Sequence, residues 1–158
     1  MTEDHWRTNE ILARLPERFR HVPYAGERFP GSAAVARQPG LAAGANCQLF
    51  AYTVLDHFGL TVPPLRSSDL WLDTHGTSRV AVPAALDLLL FNRTSDPWGA
   101  HVGVWIGEDQ ILHLSAEIGH PAIWPMRHIV RRDRYRVLVG IKRVLTGRID
   151  GATCQPGG

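Results

Sequence analysis

The stretch HVGVWIGEDQILHLS, residues 101–115, decides the fold. His101 to Ile106 is rich in β-branched and aromatic side chains, the composition of a half-buried strand. Gly107-Glu108-Asp109 is a turn signal, and Gln110 to Ser115 pairs back as the second arm of a hairpin. Each arm carries a histidine, His101 and His113, twelve residues apart. Across adjacent strands such neighbours have Cβ atoms ~5 Å apart, within hydrogen-bond reach. Either histidine alone reads more simply as a half-buried structural residue. As a pair they suit a proton-carrying imidazole and a group that orients it.

Outward from the hairpin, the second half of the chain continues in strands. Asp87 to Phe91 is a short apolar run, Ala122 to Trp124 a further strand, and Tyr135 to Lys142 a final one, with a brief helical turn over Met126 to Arg132. The first half is different. Asp4 to Leu15 predicts a helix ended by Pro16, and residues 20–45 are loop-rich with no period. Phe50, Ala51, Val54, Leu55 and Phe58 then form one apolar helix face, followed by Gly59, which predicts a helix from Asn46 to Phe58. Residues 60–80 read as an irregular linker with one helical turn near Ser68 to Leu72, capped by Ser67 or Ser68. Helices precede antiparallel-compatible strands, an α+β arrangement.

Of the two cysteines, Cys154 lies in the Gly- and Pro-rich terminus, and Cys47 sits where the predicted long helix begins. A helix amino terminus lowers a thiol's pKa and offers backbone N–H groups to an oxyanion. Burial as a small core hydrophobe is the equal competitor on position alone. Two isolated thiols fit a reducing compartment better than a disulfide framework.

Composition narrows the field further. The 158 residues make one domain, expected over 1–145 with a flexible tail at 146–158. A hydrophobic share of 44% is globular and excludes a disordered chain. A net charge of +2 is too near balance for a nucleic-acid footprint, and the basic stretch Arg127 to Arg136 reads as a solvated face. The most apolar run, Ala81 to Phe91, holds Pro83 and Asp87 and falls short of the ~20 residues a membrane span needs. The polar start MTEDHWRTNE is not a secretory signal, so the chain is expected in the cytoplasm. With no CxxC and no HExxH, neither a metal nor any other cofactor is expected.

Cys at a helix start, then His-Val-Gly-Val-Trp-Ile-Gly, then a second His twelve residues on, resembles the NlpC/P60 family of papain-like cysteine peptidases. Leu86-Asp87-Leu88-Leu89-Leu90-Phe91 resembles that family's Gly-Asp-Leu-Val-Phe-Phe strand, with Leu86 where a glycine is usual. Gly59 to Pro63 with Arg66-Ser67-Ser68, and Pro23-Tyr24-Ala25-Gly26, resemble two further segments. The departures are Asn46 for the usual Asp and Gln48-Leu49 for Ser-Gly. The resemblance implies a papain-like core, with a Cys-bearing helix packed on a small antiparallel sheet that bears the histidines. It implies Cys47 as nucleophile, His101 as general base and acid, and His113 as its orienter. It also implies an oxyanion site from the Cys47 N–H and Tyr24.

Asn46 and Trp98 are expected beside Tyr24 in the substrate pocket, and Trp71, Trp105 and Trp124 are weaker candidates. Asp96 and Glu117 are the alternatives to His113 as orienter. The implied reaction is hydrolysis of an amide or peptide bond through a Cys thioester, with D-glutamyl–diamino acid bonds of cell-wall peptides as the family's usual substrate. Asn46-Cys47 also resembles the lecithin:retinol acyltransferase group, in which the histidines precede the cysteine, the reverse of the order here. A small-molecule amidase or acyltransferase, and an inactive peptide-binding module, are the competing expectations.

Overall fold

The computed structural model describes residues 8–146. Cys154 and the tail from 147 on lie outside the described residues, as do positions 4–7 of the expected first helix. In chain order the elements are α1 (Glu10–Ala13), a 3-10 turn (Glu17–Arg20), α2 (Ala33–Arg37), α3 (Cys47–His57), α4 (Ser67–Leu72), β1 (Thr77–Val80), β2 (Leu88–Asn92), β3 (His101–Trp105), β4 (Ile111–Leu114), β5 (Pro121–Trp124), α5 (Met126–Ile129), a second 3-10 turn (Asp133–Tyr135) and β6 (Val137–Val144). The strands form one antiparallel sheet in the order β1-β6-β2-β3-β4-β5. The architecture is α+β.

Period-2 alternation divides the sheet's side chains between two cores. Leu88, Leu90, Val102, Val104, Leu112, Leu114 and Ile123 face Phe50, Ala51, Val54 and Leu55 of α3. Leu89, Phe91, Ile111 and Ile141 point the other way, onto Ile129 of α5 and Tyr135. The central strand β2 is therefore apolar on both faces, which is why Leu88 to Phe91 reads as a continuous run. Asp87, buried at the start of that run, accepts from Arg143 Nε at 3.0 Å and Nη2 at 2.9 Å, fastening β2 to β6. Leu86 just before it has φ +72, left-handed backbone that a glycine adopts without the Cβ clash.

Several local readings change. Among the described residues the expected first helix is broken at Asn9, which is extended and whose Oδ1 accepts from the Ile11 and Leu12 N–H groups as a cap of Glu10–Ala13. The 20–45 stretch contains α2, capped by Ser32 Oγ on Val35 N at 3.2 Å. The linker 60–80 ends in a strand, β1, which forms the sheet edge against β6. No serine caps α4; instead, Ser67 Oγ accepts from Ala100 N at 3.1 Å. Tyr135 belongs to a 3-10 turn, and β6 begins at Val137. No helix among the described residues is long and apolar enough to cross a membrane.

Candidate active site

Cys47 is the first residue of α3. Asn46 precedes it with extended backbone, and its Oδ1 accepts from Leu49 N at 2.8 Å. Asn46 is thus the helix cap, and that carbonyl oxygen is committed to α3 rather than offered to a substrate. A network upstream holds the Asn46-Cys47 junction in place. Arg28 is 4% exposed, and its guanidinium donates to the carbonyls of Gly44, Ala34, Gln38 and Gly40, while Asn46 N donates to Arg28 O at 2.9 Å. Gly44 has φ +106, and a Cβ there would lie 2.7 Å from Pro23 O. Only glycine lets the two segments approach so closely. That approach forms the Tyr24–Ala45 bridge and brings Tyr24 beside the thiol.

The start of β3 delivers the first histidine. Gly99 (φ +72) turns the chain, and Ala100 N is held by Ser67, so His101 opens the strand at the end of the sheet. The β3–β4 register pairs Val104 with Leu112 and Trp105 with Ile111. Continued, it sets His113 beside Gly103, so the two histidines are diagonal rather than directly opposed. A Cβ at position 103 would lie 3.4 Å from His113 Cβ and 2.6 Å from Ile111 Cγ2. Gly103 therefore leaves the room in which the diagonal contact forms. His101 Nε2 and His113 Nδ1 are 2.9 Å apart.

Sequence reasoning missed what packs around this pair. Tyr135 stacks on His101, with centroids 4.3 Å apart and planes 20° apart. The Tyr135 and Ser115 hydroxyls share a hydrogen bond of 2.8 Å, fixing the phenol. Trp124 meets His113 in a T-shaped contact at 4.7 Å. The signal for Tyr135 was hidden because it reads equally well as the first residue of the last strand.

Tyr24, Cys47, Gly99, Ala100, His101, Ala116, Arg134 and Tyr135 line one pocket of about 90 Å³. The structure thus brings Tyr24, Cys47 and His101 together and sets His113 behind His101. Trp98 does not join them: its side chain is 75% exposed and absent from the pocket wall. Trp71 packs on Gly140 beneath Arg79, while Trp105 and Trp124 pack on the second core. Asp96 accepts from Trp98 N, and Glu117 faces Arg132 and Arg134, so neither replaces His113 as the partner of His101. The basic stretch is more than a solvated face, since Arg134 reaches the pocket.

Burial sets the protonation states. It pushes the Cys47 thiol up, against the N–H groups of Val102, Gln48 and Cys47 itself and the Arg66 charge, which pull it down. The lowering expected from the helix start is present but outweighed. Burial holds His101 well below the ordinary imidazole value, helped by His113 and Arg134. His113 is pushed down to about 3 by burial, with His128 and Arg132 adding to it. Each of these shifts favours the uncharged form of its group. Among the described residues, no three His, Cys, Asp or Glu side chains gather to hold a metal ion.

No family model and no curated protein matches this chain. Solved structures do. A Staphylococcus aureus protein described as similar to lipoprotein, NLP/P60 family, superposes with a TM-score of 0.57 at 18% identity, over 93% of this chain and 43% of that one. The peptidoglycan hydrolase RipB from Mycobacterium tuberculosis gives 0.52 at 15% identity, over 90% and 67%. An NlpC/P60 family protein from Bacillus cereus matches over 63% and 32% at 22% identity, with a TM-score of 0.47. The chain spans under half the length of the first and third of these proteins. The likeness is one of fold: the chain has the NlpC/P60 fold.

Proposed function

We propose that the protein is a thiol hydrolase that cleaves an amide or peptide bond through a thioester on Cys47. The observation that supports this most is the ordered set at one pocket: Cys47 at a helix start, His101 on its wall, and His113 Nδ1 2.9 Å from His101 Nε2. With Nε2 engaged by His113, Nδ1 is the ring nitrogen left for the thiol. His101 acts as base at Nδ1 only if Nε2 carries the hydrogen, so His101 donates and His113 accepts.

The reaction then follows. Cys47 Sγ bonds to the amide carbonyl carbon as its proton passes to His101 Nδ1, and the carbonyl oxygen becomes an oxyanion. The Cys47 N–H and the Tyr24 hydroxyl stabilise that charge. Collapse breaks the C–N bond, His101 returns the proton to the leaving amine, and an acyl thioester remains. Water attacks the thioester, giving its proton to His101, and the thiol regains that proton as the acid leaves.

Fold likeness to a peptidoglycan hydrolase makes cell-wall peptides the first substrates to test. Small acylated amines, cut or used for acyl transfer, are the second class. Mass spectrometry of both panels, comparing wild type with Cys47→Ala, tests the reading. Products formed by wild type and lost in the variant are expected; equal turnover by both proteins would end it.

A further inference from the structure

Among the described residues, Arg134 is the one charged side chain on the wall of the Cys47 pocket. Arg28, Arg66 and Arg132 do not line that pocket. Arg28 is buried and donates to four carbonyls. Arg66 donates to Gln48 Oε1 at 3.4 Å and lies over the Phe29 ring. Arg132 lies over Trp124 and faces Glu117 Oε1 at 3.7 Å. Arg134 donates no hydrogen bond to the described residues, and its nearest acid, Glu117 Oε2, is 3.8 Å away. Glu117 is shared with Arg132, so one carboxylate faces two guanidiniums. The Arg134 guanidinium lies 5.8 Å from the Tyr135 ring centroid and makes no hydrogen bond to the described residues, so its N–H donors are available to a ligand in the pocket.

Resting on the thiol-hydrolase reading, we propose that Arg134 is a specificity-determining residue that receives a carboxylate carried by the substrate close to its scissile carbonyl. The guanidinium matches a carboxylate in bidentate geometry, which a neutral carboxamide does not. Glu117 positions Arg134 without neutralising it. A carboxylate-bearing acyl donor is therefore preferred over its amidated counterpart, and the preference resides in the 131–135 segment rather than in the triad.

Alkylation of Cys47 by iodoacetate and by iodoacetamide isolates this charge, since the two reagents differ only in carboxylate against carboxamide. Rates are read from the mass of the Cys47 peptide, in a Cys154→Ser background. The iodoacetate-to-iodoacetamide rate ratio is expected to fall about tenfold in Arg134→Gln, as loss of a charge-assisted hydrogen bond predicts. Arg134→Lys should keep part of the ratio, and Glu117→Gln should raise it. If Arg134→Gln does not fold, the Lys and Glu117 variants carry the test alone. An unchanged ratio in all folded variants, with Cys47 still reactive, overturns the proposal and leaves the hydrolase reading standing. If neither reagent alkylates Cys47 faster in wild type than in His101→Ala, the hydrolase reading fails and the specificity proposal falls with it.

Discussion

At the residue scale the account turns on two imidazoles kept neutral by burial. On the proposed mechanism His101→Ala removes the base and should lower kcat about 10²–10⁴-fold, the usual worth of a positioned general base. His113→Ala leaves Nδ1 of His101 in place but frees the ring to rotate, so it should cost less; steady-state kinetics on one substrate separates the two. The lowered His101 pKa puts the acid limb of kcat/KM below 6.5, because the imidazole stays unprotonated further into acid. A limb at or above 6.5 would contradict that. The same burial couples to stability. His113 has a folded pKa of about 3 and an ordinary unfolded value of 6.5, so between those values the unfolded chain binds more protons. The stabilisation is full above pH 6.5 and lost as pH falls towards 3. Urea midpoints should drop across that window, and His113→Asn should flatten the drop.

At the scale of elements, two close approaches position the site, and both depend on what is absent from a side chain. Gly103→Ala would drive a Cβ to 2.6 Å from Ile111 Cγ2, part the hairpin and shift His113. We expect a loss of about 1–3 kcal/mol in stability together with reduced kcat, read from paired denaturation and kinetics. Asn46→Ala removes the α3 cap for about 1 kcal/mol, whereas Asn46→Asp should retain it. The long elements were legible because each repeats one signal: a 3.6-residue stripe for α3, alternation and apolar runs for β2 to β4. β1 was not, because Thr-Ser-Arg-Val at a sheet edge is largely polar and is specified by its pairing with β6. The break at Asn9 was not legible, because periodicity alone carries the helical pattern through it. At the site, Cys47, His101 and His113 were readable from type and order, and Tyr24 only through the resemblance. Tyr135 and Arg134 were not, since only the turn before β6 brings them to the pocket.

Across the whole molecule, the sheet separates two cores, and the pocket lies at the sheet end where α3, the start of β3 and the 133–135 turn meet. Arg28 ties the loop ahead of α3 into one rigid approach. Arg28→Met would remove the donor to four carbonyls, the Gly44 contact buried and the other three part-buried, and at about 1–3 kcal/mol for the buried one alone the domain should unfold at lower urea. Arg28→Lys should not restore it, since an ammonium has three donors for four acceptors. The central claim is that this assembly makes Cys47 an acyl-accepting nucleophile under His101 control. The most direct measurement is intact-mass and peptide mapping of the protein after brief exposure to a p-nitrophenyl ester, in wild type, Cys47→Ala and His101→Ala. The account predicts one acyl group, on the Cys47 peptide, forming far more slowly without His101. Acylation elsewhere in the chain, or at the same rate in His101→Ala, would contradict it.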